Sequence, residues 1–116
     1  MENYNGEYET ALGITVTSAT HQGCLWTYNR FKSLVKTFDF GNIRIYESKS
    51  ARKGDVLSRD LQIILTGYSR DIITFRECVD LLLQRCNNWL PDTQVCLYRA
   101  ETVHKGARAS LTEPSV

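Results

Sequence analysis

Strand-like and helix-like hydrophobic periods follow one another along this chain in the order strand, helix, strand, strand, helix, strand. That order predicts an α+β domain of ferredoxin-like type, β-α-β-β-α-β, with a four-stranded antiparallel sheet and two helices on one of its faces. Three observations carry the expectation. Four short segments read as strands, two longer ones repeat apolar residues every three to four positions, and 116 residues suffice for one core only.

Residues 1–10 hold Glu2, Glu7 and Glu9 without a base and read as a flexible acidic arm. Residues 13–18 alternate apolar and hydroxyl side chains, as a half-buried strand does. After a break at 19–23, Leu25, Tyr28, Phe31, Val35 and Phe38 form one helical stripe, with Asn29, Lys32, Ser33 and Lys36 opposite. Gly41 suits the end of that helix. Residues 42–47 alternate again, and 48–59 form a polar, basic loop around Gly54. Residues 60–66 make the most apolar strand, which is therefore expected at the centre of the sheet.

Residues 67–70 turn the chain into the second helix. Thr74-x-x-Glu77 matches a capping box, and Phe75, Cys78, Val79, Leu82, Leu83 and Cys86 share the face behind it. Ser69 or Asp71 are alternative starts, which add a turn holding Ile72 and Ile73. Asn87, Asn88 and Pro91 end the helix, and 94–99 give the last strand. No apolar period survives from Glu101 onward. The expected organisation is thus one domain over 11–100 and a disordered tail over 101–116. The main structural alternative is a short extra strand at 72–75 in a hairpin with the third strand.

Composition excludes several classes. With 42% hydrophobic and 23% charged residues and only two prolines, the chain is neither wholly disordered nor collagen-like. No apolar run approaches the roughly 18 residues of a membrane span, and the acidic start is no signal peptide. The four cysteines, at 24, 78, 86 and 96, show no Cys-x-x-Cys spacing. They read as reduced structural thiols of an intracellular protein, cytoplasmic or nuclear, with no metal and no cofactor. Cys24 near a helix start has two readings, a thiol activated by the helix dipole or a half-buried one. His21 and His104 fall in a turn and in the tail, and Gly41, Gly54 and Gly67 are isolated. No catalytic residue is assigned, and the protein is expected not to be an enzyme.

The net charge of +1 conceals an asymmetry, because residues 30–59 hold eight bases against three acids. Strand alternation places Thr15, Thr17, Arg44, Tyr46, Gln62, Ile64, Cys96 and Tyr98 on the sheet face away from the helices. Such a hydroxyl- and amide-rich face suits sugar and phosphate contacts better than base stacking. It also offers a homodimer surface through Tyr46, Ile64, Cys96 and Tyr98.

Two resemblances bear on function. The helix carrying Cys24, Tyr28, Arg30, Phe31 and Lys32 resembles that of the dimeric DNA-binding domain of papillomavirus regulatory proteins. The stretch Ile63-Ile64-Leu65-Thr66-Gly67-x-Ser69-Arg70, followed by a helix and Leu90-Pro91, is similar to tombusvirus silencing suppressors, which bind small duplex RNA. In the first, Trp26-Thr27 stands where the family has a basic residue; in the second, the end-capping tryptophans have no counterpart in the arm. Both imply a small viral nucleic-acid-binding domain. The expected contacts, mainly to the backbone of DNA or RNA, are Lys32, Lys36, Arg44, Lys49, Arg52, Lys53, Arg59, Ser69 and Arg70. The alternative is a small accessory protein that acts by contact with a host protein.

Overall fold

A computed structural model describes residues 7–105. Its elements are β1 (Tyr8–Ser18), α1 (His21–Lys36), β2 (Ile43–Glu47), β3 (Ala51–Lys53), β4 (Val56–Gly67), α2 (Ser69–Cys86) and β5 (Thr93–His104). The main sheet has the order β2-β4-β1-β5 with every neighbour antiparallel, and β3 pairs with the start of β4. This is the expected ferredoxin-like topology with one strand added. The addition lies inside the basic loop, while residues 72–75 are helical. Gly54, at φ +62°, begins the two-residue turn from Lys53 to its partner Val56, a conformation that favours glycine in tight hairpins.

One face of the sheet is covered. Leu12, Ile14 and Val16 of β1, Leu61, Ile63 and Leu65 of β4 and Val95 of β5 pack against the helices. From α1 come Cys24, Tyr28, Phe31 and Val35, and from α2 Ile72, Phe75, Val79, Leu82 and Cys86. Phe38, Phe40 and Phe75 meet edge to face, with ring centres 5.6 to 6.4 Å apart, beside this core.

The helix limits differ from those predicted. α1 begins at His21 because Thr20 caps it, its hydroxyl accepting from the Gly23 N–H at 3.0 Å. The earlier start buries Cys24 in place of Leu25, which is exposed. α2 begins at Ser69, so the Thr74 capping box is not used; Thr74 is an exposed residue inside the helix. The buried stripe Ile72, Phe75, Val79, Leu82, Cys86 is one turn longer than the box implied, and its burial outweighs a local cap. Cys78 and Leu83 flank that stripe and are half-buried.

The sheet extends into the segments expected to be arm and tail. Residues 8–10 belong to β1 and residues 101–104 to β5, paired as Tyr8 with His104, Glu9 with Val103 and Thr10 with Thr102. The Thr10 hydroxyl donates to the Glu101 carbonyl at 3.0 Å and meets the Thr102 hydroxyl at 2.9 Å. Backbone and hydroxyl pairing holds this end together, and neither produces a hydrophobic period. The rest of the predicted arm and tail, residues 1–6 and 106–116, lies outside the described residues.

Two adjacent leucines test the orientation of α2. Leu82 is buried and Leu81 is 57% exposed. In urea melts Leu82→Ala is expected to cost about 2–5 kcal/mol, and Leu81→Ala less than about 0.5 kcal/mol.

Candidate nucleic-acid interface

The nine residues proposed for nucleic acid fall into separate groups. Lys49 lies on the β2–β3 connection and Arg52 and Lys53 on β3, all three exposed, with Lys53 next to the turn of the short hairpin. None of the three makes an ion pair among the described residues. Alternation from the pairs Ala51–Ser58 and Arg52–Leu57 turns Lys53 toward the open sheet face and Arg52 toward the helical side.

Lys32 and Arg59 are engaged elsewhere. Lys32 Nζ lies 3.1 Å from Glu47 Oε1, the Tyr28 hydroxyl donates to the same carboxylate at 3.0 Å, and the Arg59 guanidinium lies 4.0 Å from it. Arg59 also sits over the Tyr28 ring at 4.4 Å and donates to the Ser48 carbonyl. This cluster ties α1 to β2 and β4. Lys32, and then Tyr28, hold the Glu47 carboxyl below its ordinary range by hydrogen bonding. Burial, followed by the bond to Glu47, raises the Tyr28 phenol.

Arg44 projects from β2 on the open face and pairs with Glu9 at 3.5 Å. Lys36 is exposed in the last turn of α1, beside a hollow of about 400 Å³ lined by Phe38, Phe40, Ile43 and Ile45. Ser69 and Arg70 open α2, directly after β4, while the hairpin sits at the other end of that strand. Twelve residues of β4 separate the two by roughly 36 Å. The structure therefore places Lys49, Arg52 and Lys53 along one short exposed segment, on different sides of it, and leaves Ser69 and Arg70 at a distant site.

The open face carries the second half of the candidate surface. Thr15, Thr17, Gln62 and Ile64 are half-buried there, and Arg44, Tyr46, Cys96 and Tyr98 are exposed. Between Gly13 and Ile14 the partner on β5 jumps from Arg99 to Leu97, so Tyr98 is the extra residue of a β-bulge. Its ring folds over Gly13. A Cβ at Gly13 would lie 2.6 Å from the Tyr98 ring, and only glycine leaves that space. Tyr46 pairs with Gln62 and Gln62 with Gly13, so two tyrosines and an amide lie in one row across the sheet. The bulge thus brings over central β1 an aromatic ring that strand alternation alone assigns to an outer strand.

A second aromatic group, on the helical side, was not foreseen from the sequence. Arg30 lies between Trp26 and Trp89, with its guanidinium 5.5 and 5.0 Å from the two ring centres. Next to it a groove of about 390 Å³ runs between α1 and α2, lined by Leu34, Phe38, Leu81, Leu82 and Trp89. The spacing of Trp26 and Arg30, four apart on α1, is a local signal; Trp89 enters only through the packing of the helices.

The nucleophile reading of Cys24 does not hold. Its thiol is buried, donates to the Val16 carbonyl at 3.7 Å, and is pushed up by desolvation instead of down. Burial likewise pushes the Cys86 thiol up to about 12. His21 starts α1 beyond one end of β1, and His104 packs its ring against Tyr8 at the other, so the two cannot act together. Among the described residues no group of three His, Cys, Asp or Glu is placed to hold a metal, and no helix is long and apolar enough to cross a membrane.

No family model and no curated protein matches the chain. Among solved structures it is similar to the de novo designed protein Foldit4, with a TM-score of 0.56 and 10% identity over 82% of this chain and 96% of that one. It is also similar to an amidase of the hydantoinase/carbamoylase family from Burkholderia phymatum, with a TM-score of 0.59 and 7% identity over 90% of this chain. The match spans only 34% of the amidase. At such identities the likeness is one of fold alone.

The Glu47 cluster has a pH signature. A carboxyl whose folded pKa is lowered adds stability above its ordinary value of 4.5, and that stability is lost as pH falls through the folded value. Urea midpoints of the native chain are expected to drop as pH falls below about 4.5, and those of Glu47→Gln to fall less steeply over the same range.

Proposed function

We propose that this domain is a non-enzymatic binding module for nucleic acid, held mainly through phosphate and sugar contacts. The observation that carries this reading is the hairpin of β3, where Lys49, Arg52 and Lys53 stand exposed without an acidic partner among the described residues. A phosphate chain is the partner that such cations suit, since each contact releases condensed counterions. Thr15, Thr17 and Ser58 on the adjoining open face add hydroxyl donors for sugar and phosphate, and Tyr98 and Tyr46 add rings that can stack on bases. Lys32 and Arg59 take no part, being bound to Glu47, and α1 keeps Cys24, Tyr28 and Phe31 in the core. A helix inserted into a groove, as in papillomavirus regulatory proteins, is not favoured by that arrangement. The four free thiols, two of them buried, suit a reducing compartment such as the cytoplasm or nucleus.

A second reading, an accessory protein acting by contact with another protein, draws on the helical groove beside Trp89 and on Leu81 at its rim. Binding assays separate the two. Affinity for DNA or RNA is expected to fall steeply with salt, and replacing Lys49, Arg52 and Lys53 together by Ala is expected to weaken it with no change in thermal midpoint. The salt slope should become shallower by about one for each phosphate that the variant no longer neutralises. Absence of binding at low salt, or binding indifferent to the triple replacement, overturns the nucleic-acid reading in favour of the second.

A further inference from the structure

The two edges of this sheet are treated differently. One is short and charged, with β2 of five residues and β3 of three beside Lys49, Arg52 and Lys53. Such edges resist pairing with another chain. The other is β5, twelve residues long, whose one neighbouring strand among the described residues is β1.

Part of the β5 edge is closed by a side chain. Asn87 Oδ1 accepts from the Val95 N–H at 2.8 Å, and Asn87 Nδ2 donates to the Val95 carbonyl at 3.1 Å. The amide takes the place of a neighbouring strand at that residue. From Arg99 to Val103 no such device is present among the described residues. The Lys105 N–H donates to the Glu7 carbonyl, and the Glu101 carbonyl accepts from Thr10, so the odd-numbered residues there face β1. Antiparallel alternation then turns the backbone groups of Ala100 and Thr102 outward.

We propose that this open stretch pairs with the same stretch of a second copy of the chain, antiparallel about a two-fold axis at Ala100, so that two sheets join into one. Charge selects the axis. Within each chain Arg99 already pairs with Glu101 at 2.8 Å on the exposed open face. An axis at Ala100 sets Arg99 opposite Glu101 of the second copy, and Glu101 opposite Arg99, so the two pairs join into an alternating group of four charges. An axis at Glu101 would set that carboxylate against itself, and an axis at Thr102 would set Arg99 against Lys105. Opposite charges across a strand pair stabilise it and like charges weaken it. The methyl of Ala100 offers no obstacle at the axis. This pairing leaves Tyr46, Ile64 and Tyr98 uncovered and is independent of what the open face binds.

Light scattering of the full chain at high micromolar concentration should give twice the 13.3 kDa chain mass. Glu101→Arg should raise the dimer dissociation constant by about tenfold or more, because two attractive pairs become repulsive. The exchange Arg99→Glu with Glu101→Arg should restore the dimer. On a Cys96→Ser background, Ala100→Cys should form a disulfide-linked dimer under mild oxidation, since directly paired strand residues lie within disulfide reach. A monomeric native chain overturns the proposal. So does a dimer indifferent to Glu101→Arg, one not restored by the exchange, or one that Ala100→Cys fails to cross-link, which would move the contact to the open face or elsewhere.

Discussion

Strand β1 is hydrogen-bonded on both sides along its whole length, to β4 on one and to β5 on the other. Its side chains alternate between Leu12, Ile14 and Val16, which are buried, and Thr15 and Thr17, which reach the open face. A slip of one residue in either pairing would turn a neighbour's apolar row to water, so β1 fixes the register of the sheet. The helices follow from this. Once one face of three long strands is apolar, α1 and α2 must lie across it, and the polar face is left open for contact.

A single extra residue alters that frame. The bulge at Tyr98 lets β5 continue past Gly13 with Arg99, Glu101 and Val103 on the open face, around a depression of about 480 Å³. It also lays the Tyr98 ring over β1, which is possible because position 13 has no side chain. One irregularity therefore supplies the aromatic centre of the open face and the charged pair that bears on edge pairing.

Acidic residues sort the basic ones. Glu47 holds Lys32 and Arg59, and Glu9 holds Arg44, so three cations of the basic middle segment act in structure. Those left at the hairpin are set apart by geometry, since β3 pairs only with the start of β4 among the described strands and lies at the end of the sheet. The excess of charge in the sequence is thus divided between a structural clamp and an exposed cluster. Charge counting alone cannot make that division, because it contains no distances.

Element order, the ferredoxin-like topology and the sidedness of the sheet were all legible in the sequence. Each is written in periods of two or three to four residues, and burial of one face imposes those periods directly. Ile14, Val16, Ile63 and Val95 were assignable to the core, and Tyr46 and Tyr98 to the open face, without coordinates. Other features depend on how distant segments pack. The strand ends at 8–10 and 101–104 exist because segments about ninety positions apart pair through their backbones, which leaves no apolar signature. The added β3, the Tyr98 bulge and the sorting of Lys32, Arg44 and Arg59 likewise rest on contacts between distant positions. Hydrogen bonds and ion pairs are settled by which residues meet, and a linear pattern records only which residues are buried.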